Sequence, residues 1–121
     1  MTPLNQDLET HEYAYLTTVG RRSGSAHRIE IWFVIVDRSV WVNSGGRDRS
    51  DWVRNLIADP RVELEIGSER WPAAAWVHPE LTDHPARERL AARYQGWRPN
   101  EPLSTWATSG LLVEVEVTHD R

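Results

Sequence analysis

Two arginines, a serine and two flanking glycines stand together at Gly20-Arg21-Arg22-Ser23-Gly24, between a β-like run over residues 13–19 and a second over 28–36. Guanidinium groups, a hydroxyl and turn amides on so short an arc converge on one anion, which suits a phosphate or a carboxylate tail. The alternative is a hairpin turn whose arginines are merely solvated. His27 and Arg28 follow closely and Arg47 and Arg49 form a second cationic stretch, whereas Glu63, Glu65, Glu69, Glu80, Glu114 and Glu116 lie elsewhere. A basic pocket on a chain of net charge -4 favours a small anionic ligand over a nucleic acid, whose backbone needs a broad basic face.

Other chemistries find less support. The chain has no cysteine, so thiolate nucleophiles, thiolate metal sites and disulfides are excluded. His11, His27, His78, His84 and His119 show no paired ligand spacing, and no metal site is expected. Ser23-Gly24 is not part of a nucleophile elbow, no G-x-G-x-x-G is present, and residues 20–24 lack the Walker lysine. Glu30, next but one to Trp32, is either a buried base or the partner of a nearby arginine. Ser44 and Tyr94 are the candidates for donating a proton or hydrogen bond; the competing readings are a serine that satisfies backbone and a tyrosine that packs in the core. Seven tryptophans serve core packing, and would equally wall a flat aromatic ligand.

The elements that must position these residues are mostly strands. At 121 residues the chain fits one domain, residues 1–121. Alternation predicts strands over 13–19, 28–36, 40–43, 61–66, 70–78 and 111–117, with Ile29, Ile31, Phe33 and Ile35 on one face of the second. Pro72 places the start of the fifth at an edge or a bulge. Ser50 or Asp48 caps a helix over 51–58, with Trp52, Val53, Leu56 and Ile57 on one side and Pro60 ending it. Thr82 or Asp83 caps a second that carries Pro85, Leu90, Ala91 and Tyr94 and stops at Gly96. Residues 97–109 read as a loop. Six strands with two inserted helices and no regular βαβ alternation point to a mainly β (α+β) antiparallel barrel.

The succession Thr17-Thr18-Val19-Gly20-Arg21-Arg22-Ser23-Gly24, then His27-Arg28-Ile29-Glu30-Ile31-Trp32-Phe33, Ser44-Gly45-Gly46, Ser50-Asp51-Trp52-Val53-Arg54-Asn55-Leu56 and Asp59-Pro60-Arg61-Val62 resembles the deazaflavin-dependent nitroreductase and quinone reductase family. Its pattern is a T-T-x-G-R-x-S-G turn, a glycine-bearing turn, and a W-x-x-N-L helix followed by N-P or D-P and a strand. The resemblance implies a flavin-reductase-like split β-barrel and coenzyme F420, a deazaflavin with a phospholactyl-polyglutamate tail. On that pattern Arg21, Arg22 and Ser23, with Gly20, Gly24 and His27 or Arg28, hold the phosphate end, and Ser44, Gly45, Gly46 and Asn55 border the ring. Trp32, Arg49 and Trp52 complete the candidate cofactor site. The chain departs from many relatives at Glu30 and Ile31, where a proline and a small apolar residue are common, and at Arg47 or Arg49, where some have lysine. Residues Tyr94, Trp97 and Trp106 fall in a C-terminal third that matches no motif.

The implied reaction is hydride transfer from reduced deazaflavin to an electron-poor small molecule: a quinone, a nitroaromatic or an activated alkene. Two alternatives stand beside it: the same barrel using riboflavin phosphate (FMN), and a noncatalytic carrier of a flavin-like cofactor. Partners are then a small-molecule substrate and, as the alternative to a monomer, a second copy in a homodimer, with no nucleic acid. No apolar run reaches membrane-spanning length, and a cytoplasmic location is expected.

Overall fold

The computed structural model describes residues 4–118. Seven antiparallel strands form one sheet: β1 (Ala14–Val19), β2 (Ala26–Ile31), β3 (Val34–Val36), β4 (Ser39–Ser44), β5 (Arg61–Ile66), β6 (Glu69–Val77) and β7 (Leu111–Val117), in the order β2-β1-β5-β6-β7-β4-β3. The helices are α1 (Asp51–Ala58), α2 (Pro85–Gln95) and α3 (Thr105–Ser109), with 3₁₀ turns at Gln6–Thr10 and Arg47–Arg49. The sheet curls into a half-barrel around Leu16, Leu64, Ile66, Trp71, Val42 and Val113. A smaller cluster of Val34, Trp41, Ala86, Leu90 and Leu112 lies under α2.

In β1 and β5 alternate side chains are buried, as expected of strands with one face to the core. β4 is different: all six of its residues are buried, because Val40 and Val42 face the barrel interior while Trp41 is covered by the α2 cluster. Trp71 of β6 is fully buried. β6 is an interior strand between β5 and β7, but its start, Glu69 to Pro72, pairs only with β5 among the described strands, the edge position expected from Pro72. The imino acid is tolerated because pairing to β7 begins one residue later, at Ala73 opposite Val117, and the Pro72 carbonyl still accepts from Thr118.

The single long strand expected over 28–36 is two strands, which raises the count from six to seven. The chain leaves β2 after Ile31 and enters β3 at Val34, so that Phe33, Val34 and Ile35 are all buried and their alternation is lost. Side chains from distant segments hold this edge. The Phe33 amide donates to the Tyr94 hydroxyl (3.1 Å), Arg93 donates to the Phe33 carbonyl, the Ile35 amide donates to Glu9 Oε2 (2.8 Å), and Arg89 donates to the Ile35 carbonyl. An edge whose backbone groups are already bonded is a poor template for another chain.

Helix α1 keeps its expected bounds, with Val53 and Leu56 inward, but Ile57 is exposed rather than on the packed side. Ser50 occupies the N-cap without a side-chain capping bond. For α2 the cap is His84, not Thr82 or Asp83: its Nδ1 accepts from the Ala86 amide at 3.1 Å and its ring lies 4.2 Å from that of Trp41. Burial holds the His84 pKa below its ordinary 6.5, against the opposing pull of the Glu114 carboxylate. The native state therefore binds fewer protons than the unfolded chain just below about pH 6.5, so this contribution to stability is full above that value and lost as pH falls toward the lowered pKa. The melting temperature is expected to drop between about pH 7.5 and 5.5, and His84→Asn, which can still cap α2 but does not titrate, should flatten that drop. An unchanged profile in the variant would remove His84 from the account.

Candidate functional site

The turn after β1 is closed by its own backbone. The Gly20 amide donates to Ser25 O (2.7 Å), the Gly24 amide to Gly20 O (2.8 Å), and Ser23 Oγ accepts from the Ser25 amide (3.1 Å). The His27 ring lies close over Gly20: a Cβ there would stand 2.6 Å from His27 Nε2 and 3.0 Å from Ser23 Oγ, so a larger residue would push the imidazole aside. Asn55 of α1, 3 % exposed, ties the turn down. Its Oδ1 accepts from the Arg21 guanidinium (2.8 Å) and the Arg21 amide (3.2 Å), and its Nδ2 donates to Thr18 Oγ1 (3.2 Å). Arg21 also pairs with Asp51 at 3.2 Å.

Arg22 and His27 are left over. Both side chains are exposed, and neither makes a hydrogen bond or ion pair with any described residue. Together with Gly20, Arg21, Ser23, Asp51 and Asn55 they line a cleft of about 250 Å³. The turn thus has one structural arginine and one free arginine. Arg28, on the opposite face of β2, is outside this cleft: it pairs with Glu65 (3.3 Å) and lies 3.7 Å over the Tyr15 ring.

A second cleft of about 250 Å³ is lined by Tyr13, Glu30, Ile31, Trp32, Asn43 and Trp106. Trp32 stacks on Tyr94 (centroids 4.6 Å, planes 3° apart) and meets Trp106 edge-on (5.3 Å, 78°). Asn43 Nδ2 donates to the Trp106 carbonyl (2.9 Å), whereas its buried Oδ1 has no partner among the described residues. His27 lines the first cleft and Ile31 the second; they share one face of β2, four residues or roughly 13 Å apart. Each cleft alone falls below the ~300 Å³ at which ligand pockets usually begin, so a ligand the size of a nucleotide coenzyme would have to use both.

The remaining candidates are placed as follows. Ser44 is buried, its hydroxyl donating to Arg47 O (2.9 Å) and lying 3.1 Å from Ser50 Oγ, so it serves backbone. Tyr94 donates to Glu12 O (2.7 Å), and burial raises its pKa. Neither hydroxyl is free to reach a substrate. A flat ring does lie against Gly45, as the sequence led us to expect of a ligand, but it is the Trp106 indole: a Cβ on Gly45 would stand 2.7 Å from its Cδ1. A Cβ on Gly46 would meet Ser50 Oγ. Arg49 is exposed; its amide donates to Gly46 O (3.0 Å) and its side chain has no partner among the described residues, and Trp52 packs against the barrel core. Among the described residues no cluster of His, Asp or Glu could hold a metal ion, and no described helix is long and apolar enough to cross a membrane.

Tyr13, Asn43 and Trp106 are the site residues that sequence reasoning missed. Asn43 left one signal, a polar side chain at a buried strand position directly before Ser44-Gly45-Gly46. Tyr13 lies beside Glu12, whose hydrogen bond and charge, with a smaller effect from the charge of Glu30, raise the phenol's pKa.

A seven-stranded antiparallel half-barrel, with a cationic turn before one end of β2 and an aromatic cleft at the other, has the split-barrel fold. Solved structures share this fold. An F420 reductase superposes with a TM-score of 0.70 at 18% identity, covering 98% of this chain and 97% of that one. A conserved hypothetical protein of Mycobacterium tuberculosis gives 0.74 at 20% identity (97% and 83% covered), and a putative pyridoxamine 5'-phosphate oxidase of Listeria innocua 0.66 at 18% identity (93% and 88%). No curated protein matches the sequence. The family model for F420H(2)-dependent quinone reductase matches residues 2–117, and the chain belongs to that family. It is an F420-dependent oxidoreductase.

Proposed function

We propose that this enzyme reduces electron-poor planar molecules, quinones first and nitroaromatics or activated alkenes after them, with the coenzyme's anionic tail on the cationic turn and its ring toward the aromatic cleft. The observation that carries the reading is the pair Arg22 and His27, two basic side chains without partners among the described residues at the mouth of a preformed cleft. The residues present fit F420: a phosphate and carboxylate tail asks for unpaired donors, and a ring system asks for flat walls with a buried polar anchor, which Asn43 Oδ1 provides.

When bound and reduced, the coenzyme supplies a hydride and a proton, which together convert a quinone to its hydroquinone. This chain's own residues bind, orient and exclude water. Arg22, Ser23 and His27 hold the tail; Arg21, fixed by Asn55 and Asp51, holds the turn in shape. Trp32, pinned between Tyr94 and Trp106, forms a rigid wall that keeps water from the reacting faces. No side chain is asked to form a covalent bond. The reading takes residues 1–121 as one domain acting in the cytoplasm, as a monomer or a homodimer.

Titrating the protein with F420 and with riboflavin phosphate while following tryptophan fluorescence tests it. Binding of F420 at least about tenfold tighter is expected, followed by steady oxidation of the reduced coenzyme when menadione is added. A preference for riboflavin phosphate would reassign the cofactor, and binding without turnover over quinone, nitro and enone acceptors would make the protein a carrier.

A further inference from the structure

Of the six residues that line the aromatic cleft, Glu30 alone carries a formal charge. It sits near the end of β2 with its side chain exposed, accepts the Tyr15 hydroxyl on Oε1 (3.1 Å), and leaves its other oxygen without a partner among the described residues. The cations in the neighbourhood are committed elsewhere: Arg28 to Glu65 and the Tyr15 ring, Arg93 to the carbonyls of Phe33, Glu9 and His11. Glu12 adds a second negative charge beside Tyr13. The two clefts therefore differ in charge: Arg22 lines the one at the His27 end and Glu30 the one at the Trp32 end, neither with an ion-pair partner among the described residues.

We infer that the aromatic cleft is the seat of the electron acceptor and that Glu30 makes it select neutral or cationic planar rings over anionic ones. The inference rests on the proposed placement of the coenzyme, tail on the cationic turn and ring toward the aromatic cleft, so that the acceptor meets that ring at the cleft's mouth, where Glu30 is exposed. Trp32 and Trp106 give any flat ring the same apolar contact, so shape does not separate a naphthoquinone from its sulfonate. Charge does: a sulfonate brought within a few ångströms of a partly exposed carboxylate is repelled by an amount worth about threefold to tenfold in affinity at low salt. A cationic substituent would be attracted by as much, and would gain further from the indole faces.

The test compares menadione with 1,4-naphthoquinone-2-sulfonate on the wild type, on Glu30→Gln, and on Glu88→Gln, which removes the same charge from an exposed position on α2. Two readouts are taken: quenching of tryptophan fluorescence by each quinone with no coenzyme present, and kcat/KM of each with reduced F420. The ratio between the two quinones is compared across variants, so their differing reduction potentials cancel. In Glu30→Gln that ratio should move toward the sulfonate by about threefold to tenfold at low salt and by under about twofold at high salt, with Glu88→Gln like the wild type. Equal ratios in wild type and Glu30→Gln, or an equal shift in Glu88→Gln, would overturn the inference. The coenzyme-free arm keeps its meaning even if F420 does not bind, so the two readings fail separately.

Discussion

Asn55→Ala is expected to destabilise the fold by about 2 to 4 kcal/mol and to weaken coenzyme binding with it. Asn55 is 3 % exposed and makes three hydrogen bonds, two to Arg21 and one to Thr18. Thr18 is itself buried, so truncation strands its hydroxyl as well as the Arg21 amide, and each unsatisfied group costs about 1 to 3 kcal/mol. The Arg21 guanidinium keeps only its contact to the exposed Asp51, an ion pair worth little by itself. Released from α1, the turn should no longer present Arg22 and His27 to one point. Urea unfolding and an F420 titration check the two effects together. Asn55→Asp, which can still accept from Arg21 but cannot donate to Thr18, should fall between wild type and alanine in both. An alanine variant with an unshifted unfolding midpoint would show that α1 does not anchor the turn.

What could be read from the sequence follows from how far apart the causes lie. β5 keeps its expected bounds because its one exposed or half-exposed face writes itself into alternation, β7 because Glu114 and Glu116 mark its open face after a fully buried start, and α1 because Ser50 and Pro60 bracket it. The break between β2 and β3 was hidden, since nothing at Trp32 or Phe33 announces it; the groups that hold it belong to Glu9, Arg89, Arg93 and Tyr94. α3 was concealed in a proline-bearing stretch, although Ser104 caps it by accepting from Ala107 (3.1 Å). The site divides in the same way. The cationic turn is local and announces itself in five residues, whereas the aromatic cleft gathers Tyr13, Asn43 and Trp106 from three separate segments and leaves no short motif. Local reading also assigned both arginines of the turn one role, and packing separates them: both line the cleft, but the Arg21 side chain is tied to Asn55 and Asp51 of α1 while that of Arg22 has no partner among the described residues.

That separation makes Arg22→Ala the complementary experiment, with an expected loss of about 1.5 to 3 kcal/mol in F420 binding, tenfold to more than a hundredfold in Kd, and no change in stability. Arg22 has no partner among the described residues, so removing it strands nothing in the free protein. Its whole effect should appear in the complex, where a charge-assisted bond to the tail is lost. Because the site is open, the deficit should shrink as salt is added, and a tail-less deazaflavin should bind wild type and variant alike. Arg22→Lys should recover only part of the affinity, since an ammonium keeps the charge but not the planar fork that grips a phosphate at two oxygens. An unaltered Kd for intact F420 in Arg22→Ala would return the turn to the status of a solvated hairpin, and the coenzyme's tail would have to be sought elsewhere on the seam.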